Sequence, residues 1–331
     1  MEKVLITGAN GFLGANLARM LSAKYEVKIL VRKNADLKAL EGLELQTYYG
    51  DINHAEDVFK AVRGCSYVIH TAGITEQTGI TLEQYEQVNV NATKLIAQAC
   101  LEYKIVKLIY VSTANTIGPG SRNDPGTELN GFYYFKANSG YINSKYLGQQ
   151  YILEQVMKKE LPAVVVNPTF MIGAYDSKPS SGRLILYGLR KKIILYPPGG
   201  KNFVHIRDVC MGIASAIEIG KTGNCYLLAG ENLTYRNFFK ILNKVSGENP
   251  LLIRIPPLIL TLAASFCALL KMLNHKPQKL TSAGAYMLCQ KNYYSGNKSE
   301  RELGLKYHSV AEAVSDAYHW FDTNNNLQKR N

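Results

Sequence analysis

The chain has 331 residues, 47% of them hydrophobic and 19% charged, which supplies an ample core and excludes global disorder. At a scale of about 150 residues per domain the length predicts two domains, or one large domain with an appended lobe. Lys and Arg (38) outnumber Asp and Glu (26), for a net charge of +12; the densest run, Arg190-Lys191-Lys192, is short and no nucleic-acid motif accompanies it, so no nucleic-acid partner is expected.

Met1 to Asn10 lacks the basic region and apolar run of a signal peptide, which predicts a cytoplasmic protein. Val4-Leu5-Ile6 is a short apolar run ending at Thr7-Gly8, the pattern of a buried strand. From Phe12, Leu13, Leu17, Met20 and Leu21 recur at helical spacing to about Lys24. Val27–Val31 predicts a second strand, 36–40 a helical stretch, Leu45–Tyr49 a third strand and Ala55–Val62 a helix. Tyr67–His70 reads as the fourth strand, followed by a long helix over Tyr85–Leu101. Leu108–Val111 and Ala163–Val166 complete the strands, with a helix over Ser139–Lys158 between them.

Strands apolar on both faces, alternating with helices, predict α/β architecture: a doubly wound parallel sheet with a smaller, mainly helical C-terminal lobe. The expected dinucleotide-type domain is 1–172 and the substrate lobe 173–331, with 203–229 a candidate to cross back to the sheet. Loops such as Pro179-Ser180-Ser181-Gly182 and Pro197-Pro198-Gly199-Gly200 mark the change of rhythm. Six dispersed cysteines, without C-x-x-C or spacing to the six histidines, predict neither a disulfide framework nor a metal site.

Thr7-Gly8-Ala9-Asn10-Gly11-Phe12-Leu13-Gly14 lies between a strand and a helix. Gly8 permits a tight turn, Gly11 close approach of a pyrophosphate, and Gly14 helix-to-strand contact. The spacing is G-x-x-G-x-x-G. A dinucleotide site that selects NAD places Asp or Glu at the end of the second strand, where this chain has Arg32 with Lys33 beside it. A guanidinium suits a 2′-phosphate, which favours NADP(H) over NAD(H); the other reading of Arg32 is a solvated strand end. Asp51 is placed to reach the adenine edge or simply to start a turn.

Tyr-x-x-x-Lys occurs at Tyr103/Lys107, Tyr141/Lys145 and Tyr187/Lys191. The Tyr141 pair alone sits on a helix one crossover after a strand ending Val111-Ser112-Thr113, and residues four apart share a helix face. TGANGFLG (7–14), GDI (50–52), HTAG (70–73), NVNAT (89–93), VSTANTIG (111–118), YINSK (141–145), NPTFMIG (167–173), NFVHIRDV (202–209) and ERELGL (300–305) follow in order. In these motifs the chain resembles, over nearly its whole length, the extended short-chain dehydrogenase/reductase superfamily, the NAD-dependent epimerase/dehydratase family. Within it, dihydroflavonol reductase-like and 3β-hydroxysteroid dehydrogenase-like members look nearest.

The resemblance implies a Rossmann fold with Tyr141 as general acid/base, Lys145 supporting it and holding the nicotinamide ribose, and Thr113 donating to the substrate oxygen. Ser112 is the fallback for Thr113 if the register slips by one. It implies cofactor contacts from Gly8, Asn10, Gly11, Phe12, Leu13, Gly14, Arg32, Asp51, Ile52, Thr71, Ala72, Gly73, Tyr141, Lys145, Asn167, Pro168 and Thr169, and no metal. A phenol titrating near 10 needs about 3 units of lowering to work near pH 7, which the Lys145 ammonium and an oxidised nicotinamide can supply.

The expected activity is NADP(H)-dependent interconversion of a ketone and a secondary alcohol on a small, fairly apolar, ring-containing substrate. The alternative is a nucleotide-sugar epimerase or dehydratase with tightly held NAD; a non-catalytic dinucleotide sensor is a third class, against which the intact Tyr/Lys pair weighs. The chain is expected to be a homodimer or a monomer. His70 and His205 read as structural, and Phe132–Phe135 as a cleft flap or a loop anchor. Between Arg254 and Lys271 no charge occurs, and Ile259, Leu262, Phe266, Leu269, Leu270 and Leu273 share a helix face. That stripe predicts docking onto the core; with the basic stretch after it, peripheral membrane contact is the other reading.

Overall fold

The computed structural model describes residues 1–76, 79–133, 139–274 and 280–324; the side chains of 269 and 271–274 are outside that description. In chain order the sheet-forming half runs β1 (Lys3–Thr7), α1 (Phe12–Leu21), β2 (Glu26–Val31), β3 (Gln46–Tyr49), α2 (Ala55–Val62) and β4 (Tyr67–His70). It continues with α3 (Leu82–Tyr85), a π-helical segment (Glu86–Asn91), α4 (Ala92–Glu102), β5 (Lys107–Val111), α5 (Gly140–Lys159) and β6 (Ala163–Pro168). The rest comprises β7 (Phe170–Ile172), α6 (Arg183–Gly188), β8 (Ile193–Tyr196), β9 (Gly200–His205), α7 (Ile206–Ile219), β10 (Cys225–Leu228) and β11 (Glu231–Thr234). Then come α8 (Tyr235–Ser246), β12 (Leu251–Arg254), α9 (Pro257–Asn274), α10 (Ser282–Cys289), β13 (Lys291–Asn292), α11 (Asn297–Leu303) and α12 (Val310–Thr323).

Seven parallel strands form one sheet in the order β10-β6-β5-β4-β1-β2-β3. Alternate side chains bury on both faces: Val4 and Ile6 join α1 and α7, whereas Leu5 joins α2, α4 and α5. Helices on both faces hide the inner strands, which is why those sequences read as continuous apolar runs, whereas the edge strand β3 keeps Gln46 and Tyr49 exposed. The strand order reverses between β1 and β4, so the loops after them open a crevice at the carboxyl ends, where ligands of such sheets bind. The seventh strand, β10, is supplied from beyond the last dinucleotide motif and pairs with β6.

The C-terminal lobe has its own core around Phe203, Phe238, Phe239 and Phe321. It contains strands as well as helices: β9 lies between β11 and β13 and also pairs with β7, while β8 and β12 form a parallel pair.

Three sequence expectations change. The helix expected over 36–40 is one 3₁₀ turn, Lys38–Leu40, because two leucines, Leu37 and Leu40, do not make a repeating stripe before Gly42. The helix expected from Tyr85 begins at Leu82, capped reciprocally by Thr81 and Gln84, and widens to π geometry through Asn89. The α9 stripe expected to face the core faces outward: Ile259, Leu262 and Phe266 are exposed, and the helix docks through Leu260 and Ala264 instead. The helix is apolar all round, so periodicity alone could not say which stripe turns in. Among the described residues no helix is long and apolar enough to cross a membrane.

Candidate active site

At the end of β1 the backbone passes through Gly8 at φ +71°, and a Cβ there would stand 2.8 Å from the Ala72 backbone. A Cβ on Gly14 would stand 2.3 Å from the Gly8 carbonyl oxygen, so α1 lies this close to the strand turn only without a side chain at 14. Gly11 is the exposed N-cap of α1, with no side-chain cap and no acidic residue in the first turn. The N–H groups that begin α1 are therefore left for an anion. Phe12 and Leu13 pack inward beneath the turn, while Asn10 lines the neighbouring cleft.

That cleft, about 820 Å³, is bordered by Asn10, Arg32, Lys33, Tyr49, Asp51 and Lys178. Arg32 is exposed one residue beyond β2. Asp51 starts a turn, as its second reading had it: one carboxylate oxygen accepts from Asn53 N and Nδ2, both at 2.9 Å, yet the residue still borders the cleft. Ile52 packs on the α2 side of the sheet. Thr71 Oγ1 donates to the Thr7 carbonyl at 2.7 Å, Ala72 faces Gly8, and a Cβ on Gly73 would be 3.0 Å from Asn89 Oδ1. His70 lies between Thr7 Oγ1 (2.7 Å) and Thr93 Oγ1 (3.1 Å), and burial lowers its pKa to about 3. It is a neutral structural brace joining β1, β4 and α4. His205 caps α7 by accepting from Arg207 N and lies 3.2 Å from Asp316.

Ser139 caps α5, accepting from Ile142 N, and the first turns of the helix carry Tyr141 and Lys145 on one face. Tyr141 is half-buried, with the Thr113 side chain facing it. Burial raises the phenol above its ordinary 10, and the nearby Thr113 hydroxyl acts in the opposite direction. The Lys145 ammonium is buried and donates to the Val111 carbonyl at 2.6 Å, 4.6 Å over the Tyr110 ring. Burial lowers its pKa to about 7. Lysine assistance to the phenol is thus not what sets its proton affinity here; burial dominates both groups. Ser112 Oγ is buried without a partner, whereas Thr113 faces the phenol.

The remaining expected residues lie at the end of β6. Asn167 is fully buried, and its Nδ2 donates to the Thr113 carbonyl (3.1 Å), Thr116 Oγ1 (3.0 Å) and Gln149 Oε1 (2.8 Å). This amide braces the Thr113 loop against α5. Thr169 Oγ1 is engaged with Asn202 Oδ1 at 2.7 Å, which ties β6 to the lobe, with Pro168 between them. Phe132 stacks on Tyr146 at 4.1 Å and packs beside Tyr141; of the aromatic cluster, Tyr134 and Phe135 lie outside the described residues.

Four residues have roles that the sequence did not assign, Asn89 among them although it opens the NVNAT motif. Asn89 bridges the Ile74 backbone and Ser144 Oγ, placed there by the π segment. Gln149 anchors Asn167; its signal was the α5 face shared with Lys145. Met287 of α10 packs with Tyr141 and Ile142, and Lys178 joins the Arg32 cleft; neither sits in a pattern that reveals it. A further ammonium, the half-buried Lys201 on β9, lies 4.9 Å over the Phe170 ring, with its pKa lowered to about 8 by desolvation.

These features fit a dinucleotide. An uncapped helix N-terminus suits a diphosphate, exposed Arg32 and Lys178 border the next cleft, and among the described residues the buried Lys145 ammonium has one hydrogen-bond partner, a neutral carbonyl.

Comparison with known proteins agrees with this geometry. The family model for the NAD dependent epimerase/dehydratase family matches residues 4–229. A putative dihydroflavonol 4-reductase from Synechocystis sp. is 31% identical over 96% of this chain and 93% of its own length. Sterol demethylase protein B of Methylococcus capsulatus is 28% identical over 96% and 97% respectively. The crystal structure of gox2253 superposes with a TM-score of 0.88 at 28% identity, covering 99% of this chain and 100% of that one. DesIV, a dTDP-glucose 4,6-dehydratase from Streptomyces venezuelae solved with NAD, shares the fold at TM-score 0.79 and 20% identity, over 98% of each chain.

Proposed function

The chain belongs to the NAD dependent epimerase/dehydratase family, and from that premise we propose that it is an NADP(H)-dependent oxidoreductase. It interconverts a ketone and a secondary alcohol on a small, fairly apolar, ring-containing substrate. The observation that carries the reading is the Thr113 hydroxyl beside the Tyr141 phenol, with the buried Lys145 ammonium one helical turn further along α5. Relatives named as reductases of a dihydroflavonol and as sterol dehydrogenases support the substrate class.

The start of α1 and Gly11 would hold the dinucleotide's diphosphate, Arg32 and Lys178 its 2′-phosphate and Lys145 its ribose, and the nicotinamide held there would supply or accept hydride. Tyr141 is protonated through neutral pH, ready to donate to the carbonyl oxygen in reduction. Thr113 orients that oxygen by a second hydrogen bond, and Asn167 with Gln149 fixes the Thr113 backbone. Such acid–base assistance contributes typically 10²–10⁴-fold.

The test begins with purified protein, denatured to identify any nucleotide released, then titrated with NADPH and NADH and assayed on cyclic ketones. Protein isolated empty, preferring NADPH and reducing a ring ketone, supports the reading. Stoichiometric NAD carried through purification, with turnover of a nucleotide sugar, replaces it by the epimerase or dehydratase class.

A further inference from the structure

The positive charge of this chain is not spread evenly. Residues 177–207 and 249–299 contain thirteen Lys and Arg and no Asp or Glu, and the rest of the chain is neutral to within one charge. Both segments belong to the substrate lobe, where they carry the parallel strands β8 and β12 and the helices α9 and α10.

The same segments expose apolar side chains. In the β8–β12 register Ile193 pairs with Leu251 and Leu195 with Ile253, so all four stand on one face, and all four are exposed. Arg190, Lys191 and Lys192 lead into that strand pair and Arg254 ends it, each of them exposed. Three residues later α9 begins, with Leu258 67%, Leu262 59% and Phe266 60% exposed, and Ile259 beside them. Helical spacing puts these on one side, opposite Leu260 and Ala264, which pack on Ala285 of α10. Soluble surfaces scatter such residues singly; a run of them bordered by one sign of charge marks an interaction face.

Position links this face to the candidate active site. Ala285 of α10 packs beneath α9, and Met287, two residues on, packs against Tyr141 and Phe132. One short helix separates the exposed apolar face from the phenol.

We propose that α9, with the adjoining β8–β12 face, docks on an anionic lipid bilayer, so that an apolar substrate reaches Tyr141 from the membrane. This rests on the substrate reading above and deepens it by giving the substrate its source. Charge decides the occupant. A second copy of the same face would set like charge against like, whereas an anionic headgroup layer supplies the opposite sign for the basic rim and a boundary for Leu258, Leu262 and Phe266 to enter.

The test is vesicle flotation of the full chain. Phosphatidylcholine vesicles containing phosphatidylglycerol should bind roughly tenfold or more protein than phosphatidylcholine alone, and the excess should shrink in high salt. Leu262→Glu/Phe266→Glu should abolish flotation while NADPH binding persists, both positions being exposed. Lys191→Gln/Lys192→Gln should weaken it in low salt. Tyr141→Phe should float like the parent whatever its turnover, which separates failure here from failure of the enzymatic reading. The proposal is overturned if the parent stays in solution with anionic vesicles, or if the Leu262/Phe266 variant floats unchanged. It is equally overturned if that variant converts a dimer to a monomer while the parent never floats, for then a second copy covers the face.

Discussion

The Lys145 ammonium donates to the Val111 carbonyl at 2.6 Å, and burial brings its pKa from 10.5 down to about 7. Below that value the side chain is charged both folded and unfolded, and the folded protein carries the full cost of burying charge. Between about 7 and 10.5 the unfolded chain binds the extra proton, so this residue makes stability rise with pH. Lys145→Met should therefore melt higher than the parent at pH 6, by about 2 kcal/mol, with the gap closing toward pH 10. The same variant should lose turnover. A lower melting temperature for Lys145→Met at pH 6 would show that the ammonium stabilises the fold.

Tyr141 and Thr113 lie beside each other and should fail differently. Tyr141→Phe removes the proton donor and should lower kcat by about 10²–10⁴-fold, with the NADPH dissociation constant unchanged. Thr113→Val keeps the shape but loses the hydroxyl, so kcat should fall by about 10²-fold, and Thr113→Ser should restore most of it. Removing the Asn167 amide unties the Thr113 backbone, Thr116 and Gln149 together, so Asn167→Ala should lower stability as well as turnover. Comparable kcat for Thr113→Val and the parent would move the orienting role elsewhere, with Ser112 the first place to look.

Gly14 tests the phosphate turn without touching the acid–base pair. Its added Cβ would meet the Gly8 carbonyl oxygen at 2.3 Å and Ala9 Cα at 2.6 Å, both backbone atoms that cannot swing away. Gly14→Ala should push α1 off the strand turn, costing about 1–3 kcal/mol of stability. Cofactor affinity should fall more than affinity for substrate, which calorimetry and product-inhibition kinetics resolve. Gly42→Ala provides the contrast: its Cβ meets nothing within 4 Å, so any loss comes from its φ of +80° alone and cofactor binding should persist.

What could be read in the sequence follows a physical division. Strands β1, β2 and β4 to β6 were legible because each is buried on both faces, and the glycine turn and Tyr141–Lys145 because their spacing is fixed by backbone geometry. Lys178 and Met287 were not, since tertiary folding alone brings the loop after β7 and α10 against residues far earlier in the chain. The π segment carries no periodic signal of its own, although it sets Asn89 between Ile74 and Ser144. In α9 a stripe was visible but its direction was not, because Leu260 and Ala264 offered an equally apolar alternative.

Arg32 and Lys178 border the same cleft from opposite halves of the chain, and Arg32 stands at the end of β2, where an NAD-selective site would set a carboxylate. A guanidinium forms paired, charge-assisted hydrogen bonds to a phosphate, each worth about 1.5–3 kcal/mol, whereas a flexible exposed ammonium contributes mainly its charge. Arg32→Ala should therefore raise the NADPH dissociation constant by roughly ten- to a hundredfold and leave NADH nearly unchanged. Lys178→Ala should cost less, about two- to fivefold, and its effect should vanish in high salt sooner than that of Arg32. Arg32→Asp should go further and invert the preference by repelling the 2′-phosphate while offering an acceptor to the ribose hydroxyls. Equal NADPH affinity in the parent and Arg32→Ala would return Arg32 to the solvated surface and reopen NAD as the working cofactor.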